Sequence, residues 1–127
     1  MSKSLTDFTL RSLRCFIGAK DYEISKQFYS ELGFQVMEID AKMCLIKIKN
    51  DLCFYLQDYY QKDWINNSMM FLEVAELDLF YEEILLKELP KKFKNVRYTE
   101  IKNENWGREF FMHDPSGVLW HFGNFIS

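Results

Sequence analysis

The order of secondary-structure signals repeats along this chain, and the repeat constrains the fold more than any other feature. Leu13 to Ala19 reads as a strand. Asp21 is placed to cap a helix whose apolar residues are Ile24, Phe28, Tyr29 and Leu32, and Gly33 supplies the left-handed residue that ends it. Strand patterns follow at Gln35 to Ile39, Met43 to Ile48 and Leu52 to Gln57, separated by Asp40-Ala41 and by the Asn50-Asp51 turn. After a polar and aromatic loop, Asp58 to Asn67, the order begins again with a strand at Ser68 to Val74. A second helix carries Leu77, Phe80, Tyr81, Ile84 and Leu85 and stops before Pro90. Strands at Val96 to Lys102, Arg108 to His113 and Val118 to Phe125 complete the set. Phe28-Tyr29 in the first helix is echoed by Phe80-Tyr81 in the second.

Two βαβββ modules follow from that order, about 11–58 and about 68–127. Each pairs one helix with a mostly antiparallel sheet, so neither covers both faces of its sheet alone. The expected result is a single α+β domain in which the tandem modules form a curved mixed sheet around a cleft, with the helices outside. At 127 residues and 48% hydrophobic content, such a domain buries enough surface to need neither a disulfide nor a metal for stability.

The second module carries the densest local signal. Asp114-Pro115-Ser116-Gly117 has the type I turn pattern: proline presets φ at the second position, and aspartate caps the turn through its side chain. Two strands should meet there. On the incoming one, alternation places Trp106, Arg108, Phe110 and Met112 on one face and Gly107, Glu109, Phe111 and His113 on the other.

Several functions are disfavoured. A net charge of −3 gives no broad attraction for nucleic acid, and the basic run Lys87 to Lys94 is interrupted by Glu88, Leu89, Pro90 and Phe93, as in a solvated helix end. Cys15, Cys44 and Cys53 stand singly in apolar stretches, which predicts reduced core residues rather than a zinc or redox pair. There is no Gly-x-Ser-x-Gly elbow, no glycine-rich phosphate loop and no membrane-length apolar segment. Met1 to Thr9 lacks an apolar run of signal-peptide length, so a cytoplasmic protein is expected. Rings, by contrast, are abundant: 12 Phe, 7 Tyr and 3 Trp exceed what a small core requires, and surplus rings suit a flat or cationic ligand.

The duplicated order, the Asp21 to Phe34 segment with Phe28-Tyr29 and Leu32-Gly33-Phe34, and the terminal Asp-Pro-Ser-Gly hairpin resemble the vicinal oxygen chelate superfamily across essentially the whole chain. Trp106-Gly107-Arg108-Glu109-Phe110, with Asp114 to Gly117 and His121-Phe122, is most similar to its bleomycin resistance proteins. The resemblance implies the glyoxalase/bleomycin resistance fold and a homodimer that binds a small molecule such as a bleomycin-type drug in clefts at the dimer interface. It also implies that the metal-ligand positions of the enzymatic members fall here on Arg14, about Phe54, Met69 and His121, of which only His121 is a good ligand. No cofactor and no metal are therefore expected, and no catalytic residue.

By the same resemblance Trp106 is the stacking residue, Phe71 lies at a second aromatic position, His121 faces the cleft, and Phe54 lies near it. Arg108 and Glu109 either contact ligand or pair with neighbouring charges. Trp64 is either a third ring of the site or a packing residue. Trp120, Phe28 and Tyr29 are expected in the core. The competing reading is a divalent-metal lyase, isomerase or dioxygenase whose ligands have moved, for example to Glu38, Glu73 or Glu109 together with His121. A small dimer with a vestigial cleft is the third.

Overall fold

The computed structural model describes residues 4–126; Met1 to Lys3, part of the amino-terminal segment read above, and Ser127 lie outside the described residues. The first half consists of β1 (Phe16–Gly18), α1 (Tyr22–Glu31), β2 (Gln35–Asp40), β3 (Met43–Lys49) and β4 (Leu52–Gln57). Its four strands form one sheet in the order β1-β4-β3-β2, with β1 parallel to β4 and the rest antiparallel. A short helix, α2 (Lys62–Asn66), leads into the second half. There β5 (Met69–Glu73), α3 (Leu77–Leu86), α4 (Leu89–Lys92), β6 (Arg97–Tyr98), β7 (Lys102–Asn103), β8 (Gly107–His113) and β9 (Leu119–Phe125) follow. The second sheet runs β5-β9-β8-β6, with β7 also on β8, so it repeats the strand order of the first.

Local sequence accounts for the boundaries. Asp21 caps α1 by accepting from the Ile24 N–H at 3.2 Å, and Gly33 at φ 98° ends it. Four differences from expectation have physical causes. The first strand begins at Phe16 rather than Leu13, leaving Cys15 exposed, with its Sγ 3.4 Å from Met70 Sδ, while Cys44 is buried as expected. The Asp58 to Asn67 loop contains the single turn α2, and Pro90 lies in the first turn of α4, where its missing N–H costs nothing. The strand expected at Val96 to Lys102 is two fragments. Between them Thr99 donates its N–H to the Phe111 carbonyl at 3.0 Å and accepts the Phe111 N–H on its own hydroxyl at 2.9 Å, so a side chain replaces the ladder bond there.

One core joins the two halves. Cys44, Ile46, Phe54 and Leu56 from the first sheet and Phe110, Met112, Trp120 and Phe122 from the second are buried in a single cluster with Phe28 and Tyr29 of α1. The ring centroids of Phe54 and Trp120 are 5.5 Å apart, and Tyr29 touches both. Trp120, Phe28 and Tyr29 are thus core residues, as the alternation and helical spacing predict.

A polar chain runs through that core. Tyr29 donates its hydroxyl to Asp114 Oδ2 at 2.7 Å and accepts from Trp120 Nε1 at 3.0 Å. Asp114 Oδ1 accepts the backbone N–H groups of Ser116, Gly117 and Val118, each at 2.9 Å, and the Gly117 N–H closes the turn on the Asp114 carbonyl at 3.0 Å. Burial holds the Asp114 carboxyl above its ordinary range, and these hydrogen bonds offset only part of that rise. The turn legible in sequence therefore also fastens the second half to the first.

Candidate functional site: an open aromatic face

The second sheet has two unlike faces. Arg108, Phe110 and Met112 of β8, with Trp120 and Phe122 of β9, turn toward the helices. Glu109, Phe111 and His113, with Leu119, His121 and Phe125, turn away, and Met69 and Phe71 of β5 register beside Leu119 and His121.

Three rings make a platform on the outward face. Phe71 and Trp106 are 5.8 Å apart between centroids, Phe71 and Phe125 5.6 Å, and Trp106 and Phe125 5.5 Å. They are 45%, 37% and 56% exposed, so the platform is an uncovered surface within one chain. Gly123 lies beneath it: a Cβ there would stand 3.2 Å from Phe71 Cζ and 2.7 Å from the Arg108 carbonyl oxygen, so only glycine lets the Phe71 ring lie across β9. Sequence reasoning missed Phe125 and Gly123, although both fall on the alternation of β9.

Beside the platform His121 Nδ1 lies 2.9 Å from Glu109 Oε1, and Nε2 lies 3.3 Å from Met69 Sδ. The Phe111 ring meets the imidazole edge-on at 4.8 Å, and Lys102 Nζ sits over Phe111 at 5.9 Å. Glu109, nearly buried, places one carboxylate at the foot of an otherwise apolar surface.

The structure gathers Trp106, Phe71, His121 and Glu109 and separates the other candidates. Trp106 precedes β8 in a bend, so it escapes strand parity and joins the Glu109 face rather than the Arg108 face. Arg108 lies on the helix side, where its guanidinium makes two hydrogen bonds to Asp78 of α3 at 2.7 and 2.8 Å. Phe54 is fully buried against Tyr29 and Trp120 and cannot touch a ligand. Trp64 lies against the Cβ-less Gly18 of β1 and against Tyr59 at 5.8 Å, which makes it a packing residue that docks α2.

The donor set does not fit a divalent metal. Arg14 donates to the Tyr55 hydroxyl at 3.0 Å, Phe54 is buried, and Met69 offers only a thioether. Glu38 belongs to the first sheet, paired with Lys26 at 2.9 Å, and Glu73 is exposed at the end of β5. Among the described residues no three His, Cys, Asp or Glu side chains are grouped to hold an ion. Among the same residues, no helix is long and apolar enough to cross a membrane.

His113 lies on the same face nearer the turn, its backbone paired with Arg97 of β6. Burial first, and Arg97 second, hold its imidazole below the ordinary value, so folding favours the neutral ring. The stability this contributes is complete above about pH 6.5, the ordinary imidazole pKa, and is lost as pH falls through the lowered folded value. Urea midpoints measured from pH 7 to pH 5 should fall less steeply in His113→Gln than in the parent.

Two βαβββ halves sharing one strand order, each with a principal helix on its sheet, constitute the glyoxalase/bleomycin resistance fold. Within that fold the chain is similar to a bleomycin-binding protein complexed with bleomycin, at 18% identity over 91% of this chain and 98% of that one, with a TM-score of 0.75. The bleomycin-binding protein of Streptomyces verticillus, complexed with copper(II)-bleomycin, matches at 20% identity over 92% and 98%, TM-score 0.75. A glyoxalase/bleomycin resistance protein from Catenulispora acidiphila matches at 17% identity over 91% and 98%, TM-score 0.68. No protein-family model and no curated protein sequence matches the chain. At these identities the likeness establishes the fold, and each relative's ligand belongs to that relative.

Proposed function

We propose that this chain is a cytoplasmic homodimer that binds and sequesters a small aromatic or cationic molecule without a metal, with bleomycin-type antibiotics the leading ligands. The open platform of Phe71, Trp106 and Phe125 beside the Glu109–His121 pair is the observation that carries this reading. Flat heterocycles stack on such rings, and each contact adds about 0.5–1.5 kcal/mol beyond area burial. A positive charge on the ligand would find the ring faces and the Glu109 carboxylate. A second copy supplies the opposite wall that one chain leaves open. The crystal structures of bleomycin-binding proteins with the same fold, solved with bleomycin bound, support the choice of ligand.

Intrinsic tryptophan fluorescence titrated with metal-free bleomycin tests the proposal. Of the three tryptophans, Trp120 is buried and Trp64 packs on Gly18, so Trp106 is the reporter. Saturable quenching is expected in the parent, and Trp106→Ala should weaken binding by about tenfold or more. Because Trp106 is part-exposed, the variant should keep the parent's fold. Affinity unchanged in Trp106→Ala, or near-stoichiometric metal in protein purified without chelator, would sink the reading.

A further inference from the structure

We propose that the chain has a second binding site, a cationic cavity at the Asp114 to Gly117 turn that takes a small organic phosphate monoester. The cavity measures about 370 Å³ and is lined by Lys20, Arg97, His113, Asn66, Asn95 and Ser116, with Tyr60 and Leu119 also in its wall. No aspartate or glutamate lines it, in a protein whose net charge is −3. Among the described residues neither Lys20 nor Arg97 forms an ion pair. Two fixed cations, an imidazole able to take a proton, two side-chain amides and a hydroxyl suit a dianion with several acceptor oxygens better than a single carboxylate.

The wall is built rather than incidental. Lys20 donates its backbone N–H to Ser116 Oγ at 2.9 Å, Ser116 Oγ lies 3.2 Å from Ser25 Oγ, and Lys20 Nζ sits over the Tyr60 ring at 5.5 Å. Asn95 holds φ at 73°, a conformation asparagine tolerates and most residues do not. The volume is about twelve times the ~30 Å³ share of one water, so an organic body fits beside the phosphate, against Tyr60 and Leu119. An adjoining cavity of about 590 Å³ shares Lys20, Asn95, Pro115 and Ser116 and adds Lys92 and Lys94. Its one carboxylate, Asp21, is engaged in capping α1, and Lys92 reaches Glu31 at 3.4 Å.

The charged group acting on His113 is Arg97 of β6; Lys20, from the segment before α1, lines the same cavity, and Asp114, next in the chain, turns inward to Tyr29. The lowered imidazole pKa is the response of one titratable group to burial first and to the Arg97 charge second. A bound dianion offsets the charge and favours the imidazolium.

The test follows the His113 and His121 imidazole resonances by NMR at constant ionic strength, with chloride replaced by inorganic phosphate or by phenyl phosphate. Saturable movement of His113 is expected with both, at lower concentration for phenyl phosphate, with His121 unmoved. Arg97→Ala and Lys20→Ala, both at exposed positions, should each weaken binding by about tenfold, as loss of a charge-assisted hydrogen bond does. Trp106→Ala should leave the titration unchanged, which separates this site from the aromatic face. A linear, unsaturated response in the parent, or saturation that both cationic variants leave intact, overturns the proposal.

Discussion

Asp114→Ala should cost the fold about 3–5 kcal/mol, because four donors lose their acceptor inside the core. Three backbone N–H groups of the turn and the Tyr29 hydroxyl all end on this carboxylate, and the residue is fully buried. If Asp114 served only as a favourable turn residue, its loss would cost under about 1 kcal/mol, the scale of a surface cap. A domain of this size is stable by roughly 5–15 kcal/mol, so the larger figure removes a substantial fraction of the total. Urea unfolding would read it as a drop in midpoint with an unchanged slope. Asp114→Asn, which keeps an oxygen for the three N–H groups, should cost less than half as much. Equal costs for the two variants would place the weight on charge rather than on the hydrogen bonds. Tyr29→Phe isolates the other end of the chain: it strands Asp114 Oδ2 and the Trp120 indole N–H, for about 1.5–3 kcal/mol.

Gly107→Ala is the second large effect, and it acts on stability and binding together. A Cβ on Gly107 would stand 2.0 Å from the Asn124 carbonyl oxygen, a backbone atom that cannot rotate away. The end of β8 would have to part from β9, losing the Gly107–Phe125 register and the Ile126 N–H bond to the Trp106 carbonyl at 2.9 Å. Overpacking of this kind costs about 1–3 kcal/mol. Trp106 and Phe125 flank that junction, so the platform should come apart with it. Denaturant unfolding and the bleomycin titration, run on the same variant, should show both losses. A variant of parental stability and parental affinity would mean that β8 and β9 separate here at no cost.

Most of the scaffold was legible because its signals are local. The Asp21 cap, the Gly33 stop and the Asp114 turn each act within a few residues, and the strands of both halves alternate as the pleat requires. What escaped depends on contacts between distant segments. α2 spans little more than one turn, too short for periodicity to register, and is secured by Trp64 against Gly18. The break between β6 and β7 depends on a threonine hydroxyl competing for the Phe111 N–H, which no propensity encodes. At the site, alternation set Glu109, Phe111 and His113 apart from Arg108, Phe110 and Met112 as the strand does, but put Trp106 with Arg108, because parity fails one residue outside a strand. Arg108 and Phe54 lay near the right sequence positions and on the wrong side of their sheets. The cationic cavity draws Lys20, Asn66, Asn95, Arg97 and His113 from segments scattered along the chain, and nothing local connects them.

The broken outer border of the second sheet bears on how copies of this chain can grow into larger bodies. A long, regular outermost strand is a template for further strands, whereas two fragments of two residues, with Thr99 occupying the bond between them, give an incoming chain nothing continuous to extend. The corresponding border of the first sheet, β2, is blunted in another way, by a bulge between Glu38 and Asp40 and by the Lys26–Glu38 ion pair. On these two borders, β2 and the β6–β7 edge, an incoming strand finds no long regular partner, so strand-by-strand polymerisation there is disfavoured.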